Sequence, residues 1–582
     1  MVSGMESRMM WDDGFDPGAP LMEYPRMNLQ RDSYHNLNGL WQYQITERRA
    51  DPDPSAWKPI LVPFALGTAL CGSDENLPVG KALWYRKQFA YQPGTSHTWI
   101  HFEAVDMECM VFVNGMEVGI HKGGYTSFGF DISQYVSYQN SLMLRVIDDS
   151  DCGAFSYGKQ KVDHGGMWYT PTAGIWGTVW LEDVPKHFVS DIKITPDYDH
   201  SCVHVSLAGD FDQALVTVAS NGHVVHSGIT NDKTYTAPIK DMHPWTLDDP
   251  FLYDLYVQTE DDFVRSYFGM RKFSIMNDSR GIPRFALNNQ ILFLTGLLDQ
   301  GYTPDGGYTY RTEKSMIQEI MSVKDLGFNL VRKHMKVESR RYYYLCDRLG
   351  LLVMQDMPCG GFDHYDLWTM GILPNLGLRR LKDTKKSAFT RNNPVFRENY
   401  RKELFEMLDR LYSFTCICSW VPFNEGWGQF DSKKITEEIR LYDSTRLIDS
   451  ASGWHDQGCG DFFSLHNYFL PYRQKKDRYH RICLLSEFGG YSHVVQGHNR
   501  MKKEYGYRKY DDQAQLNQAV ADLYEKDILQ NIPQGLAGCI YTQLSDVEDE
   551  CNGLWTQDRK VLKIDGAKMR RINEKMKRRG SK

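Results

Sequence analysis

The hydrophobic pattern changes its grammar near residue 277, and this limits the available folds more than any other feature of the chain. Before it, apolar residues alternate in short runs separated by Gly, Pro, Asn and Asp. Examples are Trp99-Ile-His-Phe-Glu, Met110-Val-Phe-Val, Leu142-Met-Leu-Arg-Val and Gly177-Thr-Val-Trp-Leu-Glu. A period of two belongs to half-buried strands, and Asn114-Gly115 between two such runs is a tight hairpin turn. After residue 277 strand and helix alternate. Met316, Ile317, Ile320 and Val323 share a helical face that Gly327 would end, and Phe328-Asn-Leu-Val-Arg follows as a strand. Tyr342, Leu345, Cys346 and Leu349 form the next stripe, closed by Gly350, before Leu351-Leu-Val-Met. Ile291–Leu294, Cys416–Val421, Leu447–Ser450, Phe462–Leu465, Ile482–Leu485 and Cys539–Tyr541 bring the strands to eight. Eight strands alternating with helices over roughly 300 residues predict a closed (β/α)8 barrel. An open doubly wound sheet is the alternative, but no glycine-rich dinucleotide loop follows the first strand. About ten residues separate the fifth and sixth strands, so one barrel helix is expected to be short or absent.

A chain of 582 residues is too long for one core. The pattern divides it into a β-sandwich at 1–187, a smaller immunoglobulin-like sandwich at 188–276 and a TIM barrel at 277–582, with the first join near Val184-Pro185. A net charge of -7 disfavours nucleic acid or an anionic membrane as partner, because phosphate binding requires a basic field. The eight Lys/Arg between Lys568 and Lys582 are read as a solvated helix end or a frayed terminus. Met1–Met10 lacks the apolar core of a signal peptide, and no run of about 18 apolar residues occurs, so a cytoplasmic protein is expected. The twelve cysteines lack zinc-type spacing and read as reduced thiols. Aromatics make up 13% of the chain, which suits stacking on sugar faces but also the cores of β-rich proteins.

Catalytic groups of a TIM barrel sit at the carboxyl ends of its strands. Arg332 ends the second strand, Asp356 follows the third, Asn424-Glu425 follow the fourth, His466 ends the sixth and Glu487 ends the seventh. Glutamates on strands four and seven face each other across the mouth, as the cleavage of a glycoside requires. One carboxylic acid protonates the leaving oxygen while the other carboxylate attacks or activates water. A gap of roughly 5–5.5 Å means retention of configuration, and roughly 6.5–9.5 Å inversion. Either glutamate alone could equally cap a helix; the pair within Phe423-Asn-Glu-Gly-Trp and Ser486-Glu-Phe-Gly-Gly is the stronger signal.

Those segments resemble glycoside hydrolase family 2. Asn424-Glu425 looks like the Asn-Glu that closes the fourth strand of clan A retaining glycosidases, and Leu485-Ser-Glu-Phe-Gly is similar to the family's nucleophile segment. Leu37-Asn-Gly-Leu-Trp, Trp84-Tyr-Arg, Gly174-Ile-Trp-Gly-Thr-Val-Trp-Leu-Glu and Phe268-Gly-Met-Arg resemble its two accessory sandwiches. The resemblance implies a jelly-roll sandwich, an immunoglobulin-like domain and a barrel. It implies Glu425 as acid/base, Glu487 as nucleophile, Asn424 on the sugar 2-hydroxyl and Arg332 holding Glu487 ionised. Arg332 has a second reading as a structural ion pair with Asp356. Tyr468 is a candidate hydrogen-bond partner of the nucleophile and His466 a candidate substrate contact. The resemblance also implies a carbohydrate substrate, no required cofactor and symmetric oligomers, with a structural Mg²⁺ or Ca²⁺ left open.

The recognition shell departs from the family pattern. Members that cleave glucuronides carry an Asn-Lys pair after the eighth strand, whereas Glu550-Cys-Asn-Gly-Leu-Trp-Thr-Gln-Asp-Arg lacks that lysine. A buried carboxylate without a cation is costly, which counts against glucuronic acid unless Lys502 or another base substitutes. Thr542 or Gln543 stands where many members have a platform Trp, and Asp163-His164 precede Met167-Trp168 out of register with the usual Asp. Leu298-Asp-Gln replaces a His-Glu pair, making Asp299 a candidate for sugar hydroxyls. The expected substrate is a terminal β-galactoside, with β-glucuronide and β-mannoside as alternatives. Transglycosylation and non-catalytic sugar binding are the rival functions.

Overall fold

The computed structural model describes residues 14–94, 97–376 and 381–581. The Met1–Met10 segment, read above for a signal peptide, lies outside them, as does Lys582 at the end of the basic tail.

Alternation builds the first sandwich. His97–Phe102 and Glu108–Val113 each bury every second residue, placing Ile100, Phe102, Val111 and Val113 in one core with Trp41, Tyr85, Leu144 and Leu181. A six-stranded antiparallel sheet (Lys58–Val62, Gly39–Glu47, Lys81–Ala90, Gln139–Ile147, Glu108–Val113, Met116–Lys122, in spatial order) faces a four-stranded one. The Asn114-Gly115 turn forms as expected, with φ of 51° and 83°, the double left-handed geometry that matches the twist of a two-residue hairpin. Seven strands between Val189 and Phe268 make the smaller sandwich, in sheets of three and four around Val205, Val218, Leu255 and Val264.

The barrel strands are Leu294–Asp299, Leu330–Lys333, Leu352–Asp356, Ile417–Val421, Leu447–Ile448, Phe462–Asn467, Ile482–Gly489 and Leu536–Thr542, all parallel. Most are buried on both faces, which is why they read as continuous apolar runs. Seven of the eight neighbour pairs are hydrogen-bonded. Among the described residues no ladder joins the fifth strand, only two residues long, to the sixth.

Three expectations shift. The first strand begins at Leu294; Ile291 instead belongs to a short antiparallel sheet, Phe273–Asn277, Pro283–Leu287 and Gln290–Ile291, turned by Asn288 and Asn289 at φ 53° and 61°. Arg284 ties this sheet to the barrel floor through the carbonyls of Leu536 and Ile532, at 2.6 and 3.1 Å. The fifth-to-sixth gap has no helix, in line with its length, but none follows the sixth strand either: residues 468–481 carry Pro471 and scattered charges without a helical period. The basic tail forms the last barrel helix, Gly566–Gly580, burying Met569, Ile572 and Met576 while Arg570, Arg571, Arg578 and Arg579 face solvent. Asn573 fixes it to the first strand by accepting from Thr295 Oγ1 at 2.7 Å.

The helices start and stop where their ends can be satisfied. Thr312 caps Glu313–Asp325 with a reciprocal box with Ser315, and Gly350 ends Arg340–Leu349 at φ 70°. Met316, Ile320 and Val323 turn inward, each worth roughly 1.5–3 kcal/mol by burial, whereas Ile317 is only half-buried. No helix among the described residues is long and apolar enough to cross a membrane.

Candidate active site

Parallel strands aim their carboxyl ends at one mouth, and Arg332 stands at its centre. The guanidinium is fully buried and every fork is used. Nε and Nη2 donate to the two Asp356 oxygens at 2.9 and 3.0 Å, and Nη2 also reaches Asn424 Oδ1 at 2.9 Å. Nη1 donates to Glu487 Oε1 at 3.1 Å and to the Ser486 carbonyl at 3.2 Å. One side chain thus bonds both Asp356 and Glu487. Burial works against its charge, yet Asp356 and Glu487 hold its pKa above the usual guanidinium range.

Glu487 sits in the seventh strand with both oxygens engaged. Tyr468 Oη donates to Oε2 at 2.5 Å, and the Tyr468 ring is fixed by stacking on Tyr507, centroids 3.8 Å apart. Glu425 lives in different surroundings. It follows the fourth strand at φ 51°, a left-handed conformation that costs a non-glycine residue about 1–3 kcal/mol. Backbone bonds hold it there, from Glu425 N–H to the Ser452 carbonyl at 3.0 Å and from Trp427 N–H to the Asn424 carbonyl at 2.9 Å. Burial pushes its carboxyl up to about 7, against the lowering influence of Lys159, Arg332 and a hydrogen bond from Tyr468.

His466 spans the pair. Its Nδ1 is 2.7 Å from Glu425 Oε1, and its Nε2 lies 3.5 Å from Glu487 Oε1 and 3.3 Å from Ser452 Oγ. The ring fits because residue 453 is glycine: a Cβ there would meet His466 at 2.5 Å. One ligand atom each from Glu425, His466 and Glu487 lie within 4.8 Å of one another. Such a trio could hold an ion, but the Arg332 guanidinium already supplies positive charge at Glu487 and opposes a second cation. Among the described residues the other such group, Asp197, Cys202 and His204, lies on the smaller sandwich.

Asn424, Glu425, Arg332, His466, Tyr468 and Glu487 thus form one buried cluster. Among the described residues the remaining candidates make no hydrogen bond with these six side chains. Asp299 is buried in an ion pair with Lys333 Nζ at 2.7 Å and accepts from Gly301 N–H at 2.8 Å. Asp163 is exposed, and His164 lines a separate cavity of about 260 Å³ with Lys502, Tyr302 and Glu548, its Nε2 3.3 Å from Lys502 Nζ. Gln543 is buried at the end of the eighth strand and accepts from Gln300 at 2.7 Å.

Two groups escaped the sequence reading. His334 lies two residues past Arg332, with Nδ1 2.7 Å from Asp356 Oδ2; burial first, then Lys159, holds its pKa well below the usual range. The period of two could have flagged it. Lys159, from the first sandwich, had no local signal. Its loop is sewn to the segment after the third barrel strand, where the N–H groups of Tyr157 and Gly158 share the Cys359 carbonyl at 2.9 and 2.8 Å. Beyond it Trp168 stacks on Trp427 at 4.9 Å, with Tyr365 edge-on to both.

Comparison with known proteins agrees with this architecture. The profile of the glycosyl hydrolases family 2 sugar binding domain matches residues 72–185, and that of the family 2 TIM barrel domain matches residues 282–527. A protein of Formosa agariphila is 24% identical over 508 residues, covering 79% of this chain and 57% of that one. A β-galactosidase of Thermoanaerobacter pseudethanolicus is 25% identical over 449 residues, covering 72% and 55%. This chain therefore spans little more than half the length of these relatives. The solved structure of a β-D-glucuronidase from Dictyoglomus thermophilum superposes with a TM-score of 0.72 over 96% of this chain and 98% of the other, at 16% identity, which is a likeness of fold.

Proposed function

The chain belongs to glycoside hydrolase family 2, and from that premise we propose that it is a retaining exo-β-glycosidase with Glu425 as acid/base and Glu487 as nucleophile. The observation that carries this reading is the pair itself: two buried glutamates with oxygens within 4.8 Å, one bonded by Arg332 and Tyr468, the other desolvated and beside His466. Oxygens this near one another support the shorter, retaining arrangement over one that leaves room for a water between the carboxyls.

Glu425, protonated near neutrality by burial, gives its proton to the glycosidic oxygen as that bond breaks. Glu487, bonded by Arg332 and Tyr468, attacks the anomeric carbon from the opposite face and forms a glycosyl ester. Glu425, now a carboxylate, takes a proton from water, whose oxygen displaces Glu487 and restores the original configuration. Asn424 has its Oδ1 committed to Arg332, which turns the amide nitrogen toward the sugar 2-hydroxyl.

Terminal β-galactosides are the substrate favoured from sequence, and the relatives include proteins named β-galactosidase. β-Glucuronides are the second reading, supported by the fold neighbour of that activity. The test is a panel of aryl β-glycosides (galactoside, glucuronide, galacturonide, mannoside, glucoside) with Glu425→Gln and Glu487→Gln beside the parent protein. Release of a sugar whose first-formed anomer is β by NMR, abolished by Glu487→Gln, is expected. A first-formed α anomer would refute retention. Full activity in Glu487→Gln would refute the residue assignment.

A further inference from the structure

The cluster described above leaves one buried charge without a role. Lys159 is 94% buried by residue surface, being 6% exposed, yet it makes no ion pair or hydrogen bond through Nζ with any described residue. Its only contacts of that kind are with ring faces: Nζ lies 5.7 Å from the Tyr169 ring and 6.0 Å from that of Trp427. Those are at the outer limit, about 6 Å, of a useful cation–π attraction. An ammonium has three donors and no acceptor, and burying it unsatisfied is expensive.

Its backbone is fixed from both sides. Tyr169 N–H donates to the Lys159 carbonyl at 3.0 Å, and Gly158 before it, at φ 66°, approaches so closely that a Cβ would lie 2.6 Å from the Met335 carbonyl. That carbonyl belongs to the loop leaving the second barrel strand. The first sandwich thus presses Lys159 into the barrel mouth, between that loop and Trp427, two residues past Glu425. Its positive field acts on Glu425, His334 and Asp356. Lys161, two residues on, also has no anionic partner among the described residues, with Nζ 4.2 Å over Trp168.

We propose that Lys159 binds a carboxylate of the substrate, so that this chain prefers anionic glycosides, with Lys161 adding to the same field. The inference rests on the glycosidase reading and narrows its substrate class. It also answers the objection raised from sequence: the cation missing after the eighth strand is supplied here by the accessory sandwich. Glu425 faces the leaving group in the mechanism above, so the carboxylate could sit on the reacting sugar, as in a uronide, or on the group it is attached to.

The experiment compares kcat/KM of the parent, Lys159→Met and Lys159→Arg on matched aryl β-glycosides. One arm sets galacturonide and glucuronide against galactoside and glucoside; a second sets a carboxyphenyl against a phenyl galactoside. Calorimetric titration with free galacturonate, glucuronate, galactose and glucose runs beside them. The acidic-to-neutral ratio of kcat/KM is expected to fall at least tenfold in Lys159→Met, chiefly through KM, with partial recovery in Lys159→Arg. Loss in the first arm places the carboxylate on the reacting sugar, and loss in the second places it on the leaving group. A parent protein with no preference for acidic over neutral ligands in any assay overturns the proposal, as does an equal loss on both classes in Lys159→Met. Uronate binding that depends on Lys159 without release of any sugar would sink the hydrolase reading and leave this one standing.

Discussion

The charge state of Glu425 links stability to catalysis, and Glu425→Gln separates the two. Burial holds this carboxyl up at about 7 in the folded protein. An ordinary glutamate titrates at about 4.3, and each tenfold in protonation is worth about 1.4 kcal/mol, so ionising Glu425 in the native state costs about 4 kcal/mol. The sign follows from the raised value. Stability due to the neutral carboxyl is fully present below pH 4, and is lost as pH rises through 7. Glutamine keeps the shape and an oxygen facing His466 but never ionises. The variant is therefore expected to match the parent at pH 4 and to exceed it by up to about 4 kcal/mol at pH 8. Urea denaturation at both pH values, followed by tryptophan fluorescence, reads the difference. The groups facing Glu425, namely Lys159, Arg332, Tyr468, Glu550 and His466, are present in both proteins, so their own titration largely cancels. Kinetics supply the second half. In the parent, kcat/KM should fall tenfold per pH unit above a limb near 7, as the acid is lost. In the variant, poor leaving groups should suffer by roughly 10²–10⁴ and dinitrophenolate hardly at all. Equal stability differences at pH 4 and pH 8, or a parent limb near 4.5, would refute the argument that burial tunes this residue.

Tyr468→Phe removes a charge-assisted bond of 2.5 Å to Glu487 and should lower kcat roughly tenfold to a hundredfold; near-normal kcat would make Tyr468 a mere loop residue. Arg332→Met leaves Asp356 and Glu487 buried without their cation, and denaturation should show a loss of about 3–5 kcal/mol together with loss of turnover. Lys333→Met strips Asp299 and Glu338 of a shared ammonium at 2.7 Å from each. A comparable stability loss with KM little changed is expected, whereas a large rise in KM would return Asp299 to the sugar-binding residues.

Short-range patterning was enough to specify the layers of this protein and to put two glutamates at the barrel mouth. Period-two runs and the Asn114-Gly115 turn are local consequences of pleat and twist, so the sandwiches could be read directly. Barrel strands buried on both faces show as apolar runs, and the glutamates follow them at fixed offsets. Legibility failed where the deciding contact is distant. Ile291 is as apolar as the strand after it, and only the Asn288-Asn289 turn and Arg284's bonds to the barrel floor assign it to a separate sheet. Asp299 sits at a strand end, where a catalytic group would, and its ion pair with Lys333 on the neighbouring strand is set by tertiary contact alone. The basic tail looked solvated because charges dominate its composition, while the three apolar residues on one helical face decide its position. Lys159 is the extreme case. Nothing near it in the chain distinguishes it from any surface lysine, and its burial beside Glu425 exists only once the first sandwich packs against the barrel mouth. Local geometry encodes which elements form and where their ends point, whereas desolvation and charge pairing depend on what other segments bring into contact.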